Sequence, residues 1–255
     1  MIEYLDVYKA FDLPVLSGVS LRVESGETLA LIGPSGTGKS VLLKTTIGLI
    51  IPDRGDVRID GESVLSADRD GLERIRRKAG YVFQYAALFD SMNVYENIKL
   101  GLRDSDLKRL ADTEVLARVC QALEDVNLDP FQVLRKLPAE LSGGMRKRVG
   151  LARAIVGRPD ILLYDEPVTG LDPVNAAAVE RLITQIRERM RVTSIIVTHN
   201  IEGALEVSDR IVLLDRGKLR FVGTPAEFRA SSDELVHAFA DREAASVAAA
   251  KLMED

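Results

Sequence analysis

The sequence predicts an α/β protein, with a parallel core and a helical lobe inserted in its middle, and three observations carry that reading. Apolar runs of strand length at residues 28–32, 161–164 and 194–197 lack polar alternation, as expected of strands buried on both faces. Helical periodicity separates these runs. Residues 87–157 are mostly helical in pattern.

At the N-terminus apolar positions alternate with polar ones at Ile2 and Tyr4, then at Leu16, Val19, Leu21 and Val23. With turns at Ser17-Gly18 and Ser25-Gly26-Glu27 this predicts short antiparallel strands. The buried strand 28–32 passes through a glycine-rich loop into a helical pattern at 41–49. Pro52 and Gly55 mark a turn before a strand pair around 56–59. The basic cluster 74–78, with Glu73 and Ile75, reads as a solvated helix face. Residues 106–127 repeat apolar positions at helical spacing, and 145–156 do so again. A helix near 176–190 separates the last two buried strands. A hairpin around Arg216-Gly217 joins 211–214 to 219–222, and from Pro225 the pattern is helical and increasingly alanine-rich.

The chain has 255 residues, 46% hydrophobic and 29% charged, an ordinary globular composition. Its formal net charge of -5 speaks against nonspecific nucleic-acid binding. One cysteine excludes an internal disulfide and fits a reducing compartment, and two histidines leave little room for a histidine-built metal site. No apolar run approaches the roughly 20 residues that a membrane-spanning helix needs. Met1-Ile2-Glu3 is acidic within three residues, so a secretory signal is not expected. Any membrane part must then come from another chain.

Gly33-Pro34-Ser35-Gly36-Thr37-Gly38-Lys39-Ser40 fits a phosphate-binding loop and lies between a buried strand and a helix. Its glycines let successive N–H groups turn inward toward phosphate oxygens. Lys39 would reach the β- and γ-phosphates of ATP, the Ser40 hydroxyl would bind Mg²⁺, and Val41 continues the helix. A second polar terminus is Asp165-Glu166, at the end of an apolar strand where carboxylates need compensation. Asp165 would hold Mg²⁺, and Glu166 would orient or deprotonate the attacking water. His199 follows the strand 194–197 at the edge where open α/β sheets bind ligands; a γ-phosphate contact and a structural role are both open to it. Gln84 closes another strand and can face metal or attacking water.

Leu141-Ser142-Gly143-Gly144-Met145 resembles the signature of ABC ATPases, and it precedes Asp165 by about twenty residues, as in that family. The resemblance spans about residues 1–225 and takes in Gln84, Gly170-Leu171-Asp172 and His199 in family order. It implies a P-loop NTPase (RecA-like) core with an antiparallel β subdomain and a helical subdomain inserted at about 87–157, followed by a C-terminal helical extension at 226–255. It implies an ATPase that binds nucleotide through Phe11, the loop 33–41, Ser142, Gly143, Gly144 and Asp172, with Ser40, Gln84 and Asp165 toward the metal. Glu166, His199 and Gln84 are then the catalytic group, and Tyr8 is the alternative to Phe11 for stacking on adenine.

One phosphate loop and one signature per chain imply a second copy of the chain, packed head to tail so that each signature caps the partner's γ-phosphate. The expected place is the cytoplasmic face of the inner membrane, bound to a permease. Met145 replaces the usual glutamine, and with Arg146-Lys147-Arg148 and the segment 87–94 it resembles the ATPases of Mla-type phospholipid transporters, which work with MCE-type lipid-binding proteins. Leu88, Phe89 and Met92 of that segment would suit the permease's short cytoplasmic helix. The 226–255 extension is expected to help hold the dimer. Small-solute importers use nearly the same motifs, and ABC ATPases of DNA repair or translation form a further class that the single cysteine and single motif set disfavour.

Overall fold

The computed structural model describes residues 1–241. The part of the expected C-terminal extension at 242–255 lies outside the described residues. The strands are β1 (Ile2–Ala10), β2 (Pro14–Val23), β3 (Thr28–Ile32), β4 (Arg54–Ile59), β5 (Glu62–Ser63), β6 (Ala79–Val82), β7 (Ile161–Asp165), β8 (Thr193–Val197), β9 (Arg210–Asp215) and β10 (Lys218–Gly223). The helices are α1 (Lys39–Thr45), α2 (Arg69–Arg77), α3 (Val94–Lys99), α4 (Asp104–Arg109), α5 (Asp112–Asp125), α6 (Pro130–Val133), α7 (Gly143–Ile155), α8 (Pro173–Met190), α9 (Ile201–Val207) and α10 (Pro225–Arg229). They form two compact units, one of Met1–Leu65 with the chain from Ile195 onward, the other of Ser66–Ser194.

In the first unit an antiparallel sheet runs in the order β2-β1-β4-β5. Alternation places Ile2, Tyr4 and Val7 inward, opposite buried Leu21, Val23, Val57 and Ile59. β1 and β2 are nine and ten residues long, longer than the short strands expected, because a bulge at Leu5-Asp6 lets the pairing continue past a register shift. Tyr4 reaches beneath the sheet to Thr46, hydroxyl to hydroxyl at 2.6 Å, and burial pushes its phenol above the usual range. β3 pairs parallel with β9, and β9 antiparallel with β10. Over β3 and β9 lie Ala204 and Leu205 of α9, Phe228 of α10 and Val236, so residues beyond Pro225 contribute to this core. The helical pattern after Pro225 is interrupted: α10 stops at Arg229, and Asp233 opens a new helical stretch at 234–241 by accepting from the N–H groups of Leu235 and Val236.

In the second unit β6 and β7 pair in parallel, from Ala79 opposite Ile161 to Val82 opposite Tyr164. Between these strands the described chain is helical, α3 to α7, with a 3-10 turn at Pro138–Glu140. One helix was expected over 106–127; the structure has two. Leu110 and Ala111 are extended, and the Glu114 carboxylate accepts from the Ala111 N–H at 2.9 Å, starting a fresh helix there. Among the described residues no helix is long and apolar enough to cross a membrane.

Asn97 of α3 is fully buried and fixes the loop before it. Its Oδ1 accepts from the Phe89 N–H at 2.8 Å, and its Nδ2 donates to the carbonyls of Phe89, Met92 and Asn93 at 2.9–3.1 Å. The Asn93 cap, whose side chain accepts from the Glu96 N–H, completes the turn. Asn97→Leu keeps the branched shape but takes from the Phe89 N–H and the Met92 carbonyl their side-chain partner, so it should cost about 2–4 kcal/mol of stability. A urea unfolding midpoint unchanged from wild type would contradict that role.

Candidate active site

The first unit gathers the residues expected to hold phosphate. β3 is buried along its length and gives way to Gly33, whose φ is 145°. A Cβ at Gly33 would lie 2.1 Å from the Leu214 carbonyl oxygen on β9, so only glycine can leave the strand at this point. The loop runs out through half-buried Pro34 to exposed Ser35 and Gly36 and returns through Gly38, the cap of α1. Thr37 Oγ1 donates to the Pro34 carbonyl at 2.9 Å. Lys39 is 5% exposed, and its ammonium donates to the carbonyls of Gly33 and Pro34, both at 2.8 Å. An ammonium bridging two carbonyls of its own loop can exchange them for the stronger acceptor oxygens of a phosphate. Ser40 and Val41 follow, half-buried, in the first turn of α1.

Thr198 N–H donates to the Leu31 carbonyl at 3.4 Å, so β8 ends beside β3. The exposed His199 therefore leaves the sheet at the same edge as the phosphate loop. Phe11 is 61% exposed between β1 and β2, with the Lys9 ammonium 5.4 Å from its ring centre. Its alternative, Tyr8, is half-buried with the Arg54 guanidinium 5.1 Å from its ring, which makes Phe11 the better-presented aromatic.

The second unit brings Gln84, Asp165 and Glu166 together. Asp165 ends β7 at 5% exposure, and the Tyr81 hydroxyl of β6 donates to its Oδ2 at 2.9 Å. Glu166 follows in the left-handed region, φ 50°. Its Oε2 accepts from Gln84 Nε2 at 3.1 Å and from Thr169 Oγ1 at 2.9 Å. A left-handed backbone at a residue with a Cβ costs on the order of 1 kcal/mol, and here it turns the carboxylate from the strand toward Gln84 and Thr169. Lys147 of α7 donates its ammonium to the Gln84 carbonyl. Two side-chain donors thus fix the direction of this carboxylate, the geometry a general base requires.

Ser142 caps α7, its Oγ accepting from the Met145 N–H at 3.2 Å. Gly143 is exposed at the first helical position, so the N–H groups of this thirteen-residue helix open on an anion-favouring end. Asp172 caps α8, accepting from Asn175 N–H at 3.0 Å and Asn175 Nδ2 at 2.6 Å. Asp172 was expected to touch nucleotide; within its own unit its carboxylate is engaged with Asn175.

Tyr81, Thr169 and Asn175 were not singled out from the sequence, and Lys147 was named only within the basic run Arg146-Lys147-Arg148. Thr169 carried a weak signal, a hydroxyl three residues after Glu166. Tyr81 carried none, because it meets Asp165 from a strand 84 residues away.

Among the described residues no group of three or more His, Cys, Asp and Glu gathers to hold a metal. The groups expected toward Mg²⁺ are the Ser40 hydroxyl, the Asp165 carboxylate and the Gln84 side-chain carbonyl. All are oxygen donors, the class a hard divalent cation takes, so they fit it.

A family model described as "ABC transporter" matches residues 16–169. The chain is 44% identical over 236 residues to the "Probable ribonucleotide transport ATP-binding protein mkl" of Mycobacterium leprae, covering 92% of this chain and 67% of that protein. It is 41% identical over 241 residues to the "Sulfate/thiosulfate import ATP-binding protein CysA" of Rhodopseudomonas palustris, covering 93% and 67%. A dimeric post-hydrolysis structure of the ATP-binding cassette MJ0796 with ADP and Pi superposes with a TM-score of 0.79 at 29% identity, covering 88% of this chain and 99% of that one.

The bonds from Asn175 hold the Asp172 carboxyl below the usual carboxylate range. The stability Asp172 contributes is therefore complete above its unfolded value and is lost as pH falls through the depressed folded one. The difference between wild type and Asp172→Ala should be constant down to about pH 4 and shrink on further acidification. Urea melts across that range check it, and a difference that grows with acid would contradict it.

Proposed function

The chain belongs to the ABC transporter family of ATP-binding, ATP-hydrolysing cassettes, and on that footing we propose that it works as a head-to-tail dimer driving a lipid transporter. The observation that carries the dimer is the anion-favouring start of α7, on a chain whose own phosphate loop is already complete. A second phosphate site on one chain is explained when it caps ATP held by another copy.

In this reading Lys39 exchanges its loop carbonyls for the β- and γ-phosphate oxygens of ATP, and Phe11 stacks on adenine. Ser40, Asp165 and Gln84 would hold Mg²⁺, which would supply neutralisation of phosphate charge. Glu166, oriented by Gln84 and Thr169, takes a proton from the attacking water, and His199 meets the γ-phosphate. Ser142, Gly143 and Gly144 close over the ATP of the partner subunit, and Asp172 follows the nucleotide contacts at the start of α8. Closure on ATP and reopening after phosphate release supply motion to a membrane permease. Residues 1–225 form the cassette in this scheme, and the segment from 226 helps to hold the dimer on the cytoplasmic face of the membrane.

The lipid assignment rests on Met145, the cations after it and the segment 87–94, which resemble Mla-type ATPases; the partners would be a permease and an MCE-type protein. Phe89 is 54% exposed, whereas Leu88 and Met92 are half-buried, so Phe89 carries most of the apolar surface offered to a permease helix. The sulfate- and ribonucleotide-transport names of its relatives favour a second reading, an importer of small solutes.

Lys39→Ala should lose ATP binding. Glu166→Gln should bind ATP, stall hydrolysis and accumulate as a closed dimer in Mg-ATP; a variant that stays monomeric at saturating Mg-ATP with its membrane partners present would sink the shared site. Affinity purification from membranes separates the two cargo readings. Co-purification of an MCE-type protein with phospholipid is expected, and a permease with a soluble solute-binding protein would overturn the lipid assignment while leaving the ATPase intact.

A further inference from the structure

α7 does more than open on an anion site. On its second turn Lys147 points inward, 9% exposed, and its ammonium donates to the main-chain carbonyl of Gln84. One turn on, Gly150 lies against Ala86, where a Cβ would come within 3.2 Å of the Ala86 side chain and 3.3 Å of its carbonyl oxygen. Arg153 follows, donating to the Ala86 carbonyl at 2.6 Å and the Ala87 carbonyl at 2.7 Å, with its guanidinium 5.9 Å from the Phe83 ring centre. The same face of α7 thus fixes residues 83–87, in which Ala86 and Ala87 are both left-handed (φ 59° and 47°). The neighbouring cations of the basic run go elsewhere: Arg146 donates to the Leu141 carbonyl at 2.7 Å, and Arg148 Nε is buried without a partner.

At the other end of this contact, the side chain of Gln84 donates to Glu166.

We infer that Lys147 is a positioning residue for hydrolysis: from α7 it holds the Gln84 carbonyl, and so aims the Gln84 amide at Glu166. Ser142 and Lys147 lie five residues apart on one helix. The cap over the partner's ATP and the carboxylate serving the chain's own ATP are then joined by a single rigid element. A signature that closes on the partner's phosphate sets Gln84 and Glu166 in the same movement. This cross-site consequence rests on the shared-site reading above; the positioning of Glu166 by Lys147 does not.

Lys147→Met removes the donor and keeps the apolar stem. In ATPase assays of the full chain kcat should fall by about ten- to a hundredfold, the scale of a misplaced catalytic group, with KM for ATP within about twofold. Lys147→Arg, which restores a cation of similar reach, should recover most of the loss. Gln84→Ala, which also removes a group proposed to face Mg²⁺, should cost at least as much, and the double variant no more than Gln84→Ala alone, because Lys147 acts through the Gln84 side chain. A thermal melt guards against unfolding, and where Met is not tolerated Lys147→Leu carries the same comparison. A kcat within twofold of wild type, or losses that multiply in the double variant, would overturn the proposal. The wild type separates the two ideas: specific activity independent of chain concentration and without cooperativity in ATP removes the shared site. Wild-type cooperativity beside an unimpaired Lys147→Met removes Lys147 alone.

Discussion

Two cations of α7 hold the carbonyl oxygens of the loop after β6, and the chemistry of the second unit depends on that contact. Two successive left-handed alanines cost roughly 1–2 kcal/mol each. Hydrogen bonds from charged donors contribute about 1.5–3 kcal/mol each. Three such bonds are enough to offset the backbone strain and keep the loop in one shape. Gln84 is the residue that profits, because its main chain is fixed from α7 while its side chain is left to reach Glu166. Glu166 is itself turned out of line by a left-handed backbone, and Thr169 donates to the same carboxylate oxygen as Gln84. The carboxylate is thus aimed by its surroundings alone, as the base of the proposed reaction must be.

The first unit solves a different problem with the same economy. In the proposed reading Lys39 is a buried cation without phosphate and a phosphate ligand with it. Bonding to the loop's own carbonyls satisfies the ammonium in the first condition and is exchanged at little cost in the second. Gly33 makes this possible by letting the chain turn against Leu214.

Much of the architecture was legible because it is written in local pattern. Continuous apolar runs gave β3, β7 and β8, and the spacing of glycines before Lys39 located the loop at the strand's end. What escaped was of two kinds. The break at Leu110-Ala111 turns on one capping carboxylate, Glu114, which does not disturb the apolar periodicity on either side. Lys147, Tyr81 and Asn97 act through contacts with backbone or with residues far along the chain, and such contacts leave no periodic trace. Lys147 in particular stood inside a basic run that read as a subfamily mark; only its burial separates it from Arg146. Cargo is illegible for another reason. Relatives named for sulfate and for ribonucleotide transport are alike across most of this chain, so its motifs do not tell one cargo from another.

The central claim is that each working site combines the phosphate loop of one chain with the signature of another. Mixing a Lys39→Ala chain with a Ser142→Arg chain tests it most directly. Neither chain alone can complete a site, but a mixed dimer pairs the intact loop of one with the intact α7 start of the other. The account predicts that the mixture hydrolyses ATP well above the sum of the two separate chains. A mixture no more active than that sum, with exchange between the chains demonstrated, would contradict it.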